Sequence, residues 1–418
     1  MNVFHALESE VRSYCRTWPT VFDRAQGSWV HDENGRAYLD FFAGAGTLNY
    51  GHNPPEIKRA LLRYLERDGI AHSLDMFTVA KRDFLERFQE VILEPRGLDY
   101  KVQFPGPAGA NAVEAALKLA RKVTGRTVVV GFTNAFHGMT LGALGVCGNA
   151  KRRATAGVPL EHHVIMPFDE SGAGGSPDPL RLESVLAGRA GDRPAAVIVE
   201  AVQGEGGVNV ASQEWLRELA ETCRRHGVLL IVDDIQMGCG RTGAFFSFEE
   251  AGITPDIVTL SKSISGYGLP LALTLFRPDL DVWEAGEHNG TFRGPNPSFV
   301  TATAALDFWV DATMEKQTLA KGQQVEEFLA ELCAEHAALG AAYRGRGLVW
   351  GLTFDAPELA AAVSAAAFDE GLLVETSGPR DEVVKLLPPL TVTTEELTRG
   401  LTTIADAVRR CAARSGLT

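Results

Sequence analysis

The sequence lacks the cysteine spacing of a zinc site or of a disulfide framework. Its six cysteines are scattered over 418 residues and never form a Cys-x-x-Cys pair. Thiolate ligation of a metal is therefore not predicted, and no other metal site is predicted either. Free thiols in a reducing compartment are the ordinary alternative, which favours a cytoplasmic protein.

Long apolar runs and positive charge are also scarce. No stretch approaches the roughly 20 apolar residues that a membrane span needs. The first turns carry Glu8, Glu10, Arg12 and Arg16, which is not the apolar core of a signal peptide. The formal net charge of −13 argues against nucleic acid or an anionic membrane as the main partner.

Candidate strands and helices alternate through the middle of the chain. Amphipathic segments such as 111–123 and 213–226 fall between most of the strands, which predicts an α/β fold with a mostly parallel seven-stranded sheet and helices on both faces. The connection between the last two strands is too short for a crossover helix, so one antiparallel strand is expected there. The candidate strands are 101–104, 126–132, 162–166, 195–200, 228–233, 256–260 and 270–276.

The two ends of the chain are predicted to form a smaller α+β domain. Near the N-terminus, a hairpin with Asn34-Gly35 at its turn leads into a glycine-rich loop at 43–47 and a helix through about Arg67. Long helices are expected over 296–337. Short strands at 348–354, 372–376 and 383–387, with two helices, follow in 345–415, and Ser171–Pro179 is expected to be a surface loop. We divide the chain into an N-terminal segment of the small domain (1–55), a large domain (56–310) and a C-terminal small domain (311–418).

Two strand ends carry the clearest chemical signal. Val228–Asp234 runs from five apolar residues into two carboxylates, and Asp256–Lys262 ends on an amine. Ligands of open α/β sheets bind at the carboxyl ends of the strands, so Asp233 and Lys262 are expected to face one crevice. An acid and an amine there predict the pyridinium partner and the Schiff-base lysine of a pyridoxal phosphate enzyme. Each residue alone would more simply be a helix-capping aspartate or a solvated lysine.

A glycine-containing turn follows the candidate strand 101–104. Gly109-Ala110 opens a helix directly, and a glycine backbone beside a helix N-terminus can hold an anion. We interpret it as a phosphate-binding turn. A dinucleotide site is disfavoured, because the G-x-G-x-x-G pattern is incomplete and no acid ends the next strand. A plain strand-to-helix turn remains an alternative.

Two more strand ends carry polar or aromatic residues. Phe136 and His137 follow the strand at 126–132, and Glu200 and Glu205 follow the strand at 195–200. The aromatic ring can stack on a flat heterocycle, although buried aromatics usually only fill the core. A hydrolase with paired carboxylates is an alternative for the two glutamates, but it leaves the lysine unexplained.

Taken together and in this order, the motifs resemble those of the class III (ω-amino acid) aminotransferases of pyridoxal phosphate fold type I. The resemblance spans most of the chain. The motifs are Gly109-Ala110, Phe136-His137-Gly138, Glu200 with Gly204-Glu205-Gly206-Gly207, Asp233-Asp234-Ile235-Gln236-Met237-Gly238 with Gly240-Arg241-Thr242-Gly243, Ser261-Lys262-Ser263 and Gly290-Thr291-Phe292.

The resemblance implies the cofactor pyridoxal 5'-phosphate and a role for each motif. Lys262 would be the Schiff-base lysine and Asp233 the partner of the ring nitrogen. It further implies a homodimer, because one residue reaches the phosphate from the neighbouring subunit. Gly109 and Ala110 would contact the phosphate, and Gln236 the phenolic oxygen. Phe136, which His137 follows, would lie on one face of the ring and Ile235 on the other. Thr291 of the neighbouring subunit would also contact the phosphate.

At three positions the sequence departs from the common family pattern, and these departures point to one group within the family. Asp234 stands where many members have Glu, Met139 where many have Arg, and Lys385 where a substrate-binding Arg is usual. The chain most resembles the group that moves the amino group of L-glutamate to L-aspartate 4-semialdehyde in ectoine biosynthesis. In that group, Glu205 and Lys385 would bind substrate. The alternatives are the same chemistry in a siderophore or antibiotic pathway, a decarboxylase or racemase of the same fold type, and a non-catalytic protein that keeps the fold.

Overall fold

Strands and helices alternate along the chain, which a computed structural model describes over residues 3–169, 179–188 and 193–415. Residues 171–178 of the predicted surface loop lie outside this described part. The strands are β1 (Phe22–Gln26), β2 (Trp29–Asp32), β3 (Ala37–Asp40), β4 (Lys101–Gln103), β5 (Val129–Phe132), β6 (His163–Met166), β7 (Ala196–Val199), β8 (Val202–Gln203), β9 (Asn209–Val210), β10 (Leu229–Asp233), β11 (Ile257–Leu260), β12 (Leu273–Phe276), β13 (Ala342–Arg346), β14 (Val349–Thr353), β15 (Leu372–Leu373), β16 (Glu375–Ser377) and β17 (Val383–Leu386).

The helices vary from single turns to more than five turns. They are α1 (Val3–Leu7), α2 (Tyr14–Thr17), α3 (Ala43–Gly46), α4 (Pro55–Glu66), α5 (Val79–Phe88), α6 (Gly109–Thr124), α7 (Leu141–Gly145), α8 (Ala150–Arg153), α9 (Pro179–Leu186), α10 (Gln213–His226), α11 (Asn296–Ala305), α12 (Thr313–Glu335), α13 (Glu358–Asp369) and α14 (Thr394–Ser415). Short 3₁₀ segments lie at Glu94–Arg96, Ala154–Ala156, Glu249–Ala251, Lys262–Ser265, Pro278–Leu280, Leu306–Trp309 and Ala337–Leu339, and one π-helical turn lies at Gln89–Leu93.

The large sheet has seven strands in the order β4-β12-β11-β10-β7-β5-β6. The pairs β11–β10, β10–β7, β7–β5 and β5–β6 are parallel. Strand β12 runs antiparallel to both of its neighbours. The sequence-based prediction of a mostly parallel seven-stranded sheet with one reversed strand is therefore confirmed.

Both faces of this sheet are buried, as the continuous apolar runs predict. On β10, Leu230 and Val232 pack into one apolar cluster, and Leu229 and Ile231 pack into another on the opposite face. Helix α10 covers the first face and α6 covers the second. A strand buried on both sides leaves only its ends for polar chemistry, which fixes where a site can form.

The two ends of the chain meet in smaller sheets. Strand β3 from the N-terminal part pairs in parallel with β15 from the C-terminal part, and β13, β14, β17 and β16 form a separate antiparallel sheet. The predicted strand at 372–376 is in fact two strands, because β15 joins β3 whereas β16 joins β17. The exact domain boundaries stay a prediction.

Among the described residues, no helix combines the length and the apolar character that crossing a lipid bilayer requires.

Candidate active site

The candidate site lies at the carboxyl edge of four neighbouring parallel strands. β5, β7, β10 and β11 end beside one another, and each is followed by a residue that the sequence singled out. His137 follows β5, Glu200 follows β7, Asp233 closes β10 and Lys262 follows β11. The parallel arrangement thus brings together side chains that are far apart in the sequence.

Asp233 is buried and held by three hydrogen bonds. Its Oδ2 lies 2.7 Å from Nδ1 of His137, and its Oδ1 accepts from Thr259 Oγ1 at 3.0 Å and from the N–H of Ile235 at 3.2 Å. Burial disfavours protonated His137, but the hydrogen bond and charge of Asp233 outweigh it and raise the pKa of His137. The pair fixes the Asp233 carboxylate in one orientation.

Lys262 is half-buried and lies just beyond the end of β11. Its φ of +51° is unusual for a residue with a side chain. Lys262 is the first residue of the 3₁₀ turn Lys262–Ser265. Its Nζ donates a hydrogen bond to the carbonyl oxygen of Ala45 at 2.8 Å. Desolvation lowers the pKa of Lys262, against the opposing charges of Glu205 and Asp233. The charge of Asp233 thus acts on the amine, and the sequence-based expectation that both side chains face one crevice stays a prediction.

The glycine-rich segment at 43–47 forms a left-handed turn, α3. Ala43, Gly44, Ala45 and Gly46 have φ values of 46°, 60°, 55° and 82°. This turn exposes the carbonyl oxygen of Ala45, which accepts from both Lys262 and Gln236, the latter at 2.9 Å. The sequence predicted only a loop here, because a left-handed run containing two alanines is strained and uncommon.

The turn before α6 has the features of an anion site. Helix α6 begins at Gly109 without a side-chain cap, so the N–H groups of Gly109 and Ala110 have no partner within the helix. A Cβ on Gly109 would lie 3.0 Å from Ile235, and one on Gly138 would lie 2.8 Å from Ala110. The turn at Gly109-Ala110 is therefore in close contact with the Ile235 side chain and with Gly138.

Glu200 and Phe136 lie on the other side of Asp233. The Oε2 of Glu200 accepts the backbone N–H of Phe136 at 3.0 Å. Burial raises the pKa of Glu200 to about 8, with His137 opposing and Asp233 adding to the shift. The half-buried ring of Phe136 packs against the guanidinium of Arg152, 4.8 Å from its centre.

A second group of charges surrounds Lys385 on β17. Its buried Nζ lies 2.6 Å from Oε1 of Glu205 and 3.0 Å from Oε1 of Glu375. Gln236 Nε2 donates to the same Glu205 oxygen at 3.1 Å. Burial acts against the charge of Glu205, but Lys385 and then Lys262 lower its pKa to about 2. Glu205 thus connects the Lys385 group with Gln236 and Lys262.

Among the described residues, no hydrogen bond or ion pair joins Thr291 to the other predicted site residues. Its side chain is exposed, and its carbonyl oxygen lies 2.8 Å from Nε2 of His72. Within a single chain its contacts are with the 72–75 region, where Arg293 also pairs with Asp75.

Sequence reasoning missed Glu375 and the backbone of Ala45. Glu375 ends the apolar run Leu372–Val374, and a charge at the end of a buried strand is the signal that could have found it. A backbone carbonyl that binds a lysine leaves no such signal, since its direction depends on the dihedral angles of the turn.

Comparison with known proteins assigns a family to this geometry. A model of the family described as aminotransferase class-III matches residues 12–408. A diaminobutyrate–2-oxoglutarate transaminase of Streptomyces anulatus is 67% identical over 415 residues, covering 99% of this chain and 98% of that protein. Another of the same name from Halalkalibacterium halodurans is 56% identical over 412 residues, covering 98% and 96%.

Solved structures agree with this result. An ornithine aminotransferase from Toxoplasma gondii superposes with a TM-score of 0.86 at 28% identity, covering 99% of this chain and 94% of that one. An acetylornithine aminotransferase from Elizabethkingia anophelis gives a TM-score of 0.79 at 27% identity, covering 98% and 97%.

Proposed function

The chain belongs to the class III aminotransferases, and from that premise we propose that it transfers the amino group of L-glutamate to L-aspartate 4-semialdehyde. The products are 2-oxoglutarate and L-2,4-diaminobutyrate. That the protein is a pyridoxal phosphate-dependent aminotransferase follows from the family and from relatives that share its whole length. The identity of the two substrates is the part that we propose.

The residues of the candidate site fit the cofactor. The side-chain oxygen of Gln236 and Nε2 of His137 are buried without a hydrogen-bond partner among the described residues. Because an amide oxygen only accepts, this atom of Gln236 could accept from a protonated phenol of the cofactor, whereas a donor to the ionised phenolic oxygen would be Nε2, which would have to leave Glu205. Asp233 would hold the ring nitrogen, Gly109 and Ala110 the phosphate. When bound, pyridoxal phosphate accepts the amino group and withdraws electrons from the reacting carbon.

Lys262 and Asp233 have complementary tasks in this proposal. Asp233 would keep the ring nitrogen protonated, since its carboxylate is fixed by His137 and Thr259. Lys262 would hold the cofactor covalently and, once released, move a proton at the reacting carbon. Its lowered pKa favours the neutral amine that both tasks require.

The two substrates differ in whether the reacting carbon carries a carboxylate, and the charged side chains of Lys385, Glu205 and Glu375 suit this difference. Glutamate reacts at a carbon that carries a carboxylate, whereas the semialdehyde reacts at a terminal carbon that carries none. Both have another carboxylate three bonds from the reacting carbon. The site must therefore admit one extra carboxylate in the glutamate half-reaction only. We propose that Lys385 binds it when Glu205 moves away, and that the 2.6 Å pair re-forms for the semialdehyde.

We also propose that the enzyme is a homodimer or a higher homo-oligomer. Large apolar side chains are exposed near Thr291, and burying them against a second copy would be favourable. They are Ile70, Leu74, Met76, Phe77 and Phe292. In such a dimer the partner subunit's Thr291 would reach the phosphate.

The pathway that we propose is ectoine biosynthesis in the cytoplasm. All six cysteines are free thiols and five of them are buried, which suits a reducing compartment. Deleting the gene should abolish ectoine. If ectoine persists and a siderophore or antibiotic disappears instead, the enzyme serves one of those pathways.

A competition between amino acceptors tests the substrate proposal. With glutamate as donor, aspartate 4-semialdehyde should give a kcat/KM at least roughly tenfold above those of other aldehydes and oxo acids, measured as 2-oxoglutarate released. Ping-pong kinetics are expected, since both half-reactions share one site. A higher kcat/KM with another acceptor would contradict the proposal, and release of carbon dioxide or loss of stereochemistry would indicate the decarboxylase or racemase alternative.

A further inference from the structure

Lys385 is a completely buried ammonium between two carboxylates. Its exposed fraction is 0%, and its Nζ lies within 3.0 Å of both Glu205 and Glu375. Glu375 faces Lys385 directly across the β16–β17 pair, so their side chains project from the same face of the sheet.

The two carboxylates are held differently. Glu375 lies on a strand, and its side chain is only 5% exposed. Glu205 lies in the loop between β8 and β9, its side chain is 18% exposed, and it also accepts from Gln236. An incoming carboxylate can therefore reach Glu205 more readily than Glu375, which is more deeply buried.

A buried ammonium that loses its last partner is strongly destabilised. If Glu205 were the sole partner, Lys385 would lose all compensation at the moment of exchange. We propose that Glu375 is a positioning residue whose side-chain oxygen, 3.0 Å from Nζ, holds the Lys385 ammonium in place in either protonation state while Glu205 is exchanged for the carboxylate on the reacting carbon of glutamate. This inference rests on the proposed function of the Glu205–Lys385 pair.

The charges around Glu375 give the inference a pH dependence. Burial raises the pKa of Glu375 to about 7; Glu205 adds to the shift, and Lys385 and Lys262 oppose it. Tyr14 is the other ionisable group within electrostatic reach. Above that pKa the three side chains Glu205, Glu375 and Lys385 carry a net negative charge, and below it they are neutral. A negative cluster repels a carboxylate, so the KM for glutamate should rise as the pH increases through about 7.

Two substitutions and one control separate positioning from simple structural support. Glu375→Leu removes the acceptor, and Glu375→Gln keeps an oxygen but cannot ionise. Glu382→Gln, in the loop of the same hairpin, makes the same chemical change at a carboxylate whose hydrogen bond is to the backbone of Arg380. For each holoenzyme, KM and kcat are measured with glutamate and, in the reverse direction, with diaminobutyrate, between about pH 6 and about pH 9.

We expect Glu375→Leu to raise the KM for glutamate roughly tenfold or more and to change the KM for diaminobutyrate less than about twofold, since diaminobutyrate reacts at a carbon without a carboxylate. Glu375→Gln should keep a KM for glutamate within about threefold of that of the wild type near pH 6 and should lose its rise with pH. The control should match the wild type in both respects.

The inference is overturned if both KM values rise together in Glu375→Leu, or if the rise with pH persists in Glu375→Gln. Should Glu375→Leu fail to fold, the pH profile of Glu375→Gln still decides. A wild-type enzyme that does not turn over glutamate at all would instead overturn the proposed function, before any variant is compared.

Discussion

Single side chains set the charge state of the site, and desolvation lowers the pKa of Lys262. Replacing it with Ala should lower kcat by at least about 10³-fold, because the group that moves the proton is removed. The absorbance band of the covalently held cofactor should disappear in the same variant. Lys58→Ala, at an exposed lysine on α4, should leave both quantities unchanged. Turnover by Lys262→Ala near the wild-type rate would show that another residue does the chemistry.

For single residues, the sequence indicates which side chains belong to a candidate site but not which of them touch. Asp233 and Lys262 were predictable because each ends a buried apolar strand, where a charge has no structural reason to be. The contact between His137 and Asp233 joins residues almost a hundred positions apart, so only the parallel sheet order brings them together. Glu375 was not recognised, because its partner Lys385 becomes its neighbour only through the β16–β17 pairing.

Among the elements, the left-handed turn α3 carries backbone strain at its two alanines, Ala43 and Ala45, while its two glycines adopt the same conformation without strain. Gly46 has a φ of +82°, and an added Cβ would lie 3.3 Å from Cγ of Gln236. We expect Gly46→Ala to lower the free energy of unfolding by about 1–2 kcal/mol. Displacement of Gln236 should also weaken cofactor binding about fivefold, which corresponds to one lost hydrogen bond.

Gly35→Ala is a matched control for that prediction. Gly35 has a φ of +85° in the β2–β3 turn, and an added Cβ would have no atom within 4 Å. The control should lose a similar stability in urea denaturation and keep the wild-type dissociation constant for pyridoxal phosphate. Equal cofactor binding in all three proteins would mean that α3 does not position Gln236.

Strands were easier to predict than turns, and the reason is physical. The five inner strands of the large sheet are mostly apolar runs, because both of their faces are buried, whereas the edge strands β4 and β6 are partly exposed. All seven observed strands start at most three residues inside the predicted ones. The turn at Ala43–Gly46 has no such pattern, since its conformation depends on contacts with Gln236 and Ser263 that lie far along the chain. The split of 372–376 into β15 and β16 likewise depends on which sheet each half joins.

At the scale of the whole molecule, the N-terminal and C-terminal parts are joined around Arg241. This guanidinium is fully buried and donates to the side chain of Asn49 and to the carbonyl oxygens of Leu348 and Pro388. Burial lowers its pKa to about 9, although the charge of Asp40 opposes the shift. One side chain therefore ties three distant segments together, so that the N-terminal and C-terminal parts of the chain are held against the segment that follows Gln236.

The last prediction concerns assembly. Phe77 is fully exposed, and Phe292 is 63% exposed beside Thr291. If these rings are buried between two copies, Phe77→Asp should shift the enzyme from dimer to monomer in sedimentation velocity, because it places a charge in an apolar contact. Activity should fall with the dimer fraction, since the partner subunit's Thr291 is then missing from the phosphate site. Leu7→Asp, at a side chain that is 83% exposed in α1, should leave assembly unchanged. A fully active monomer, of the wild type or of Phe77→Asp, would show that one chain holds the cofactor alone.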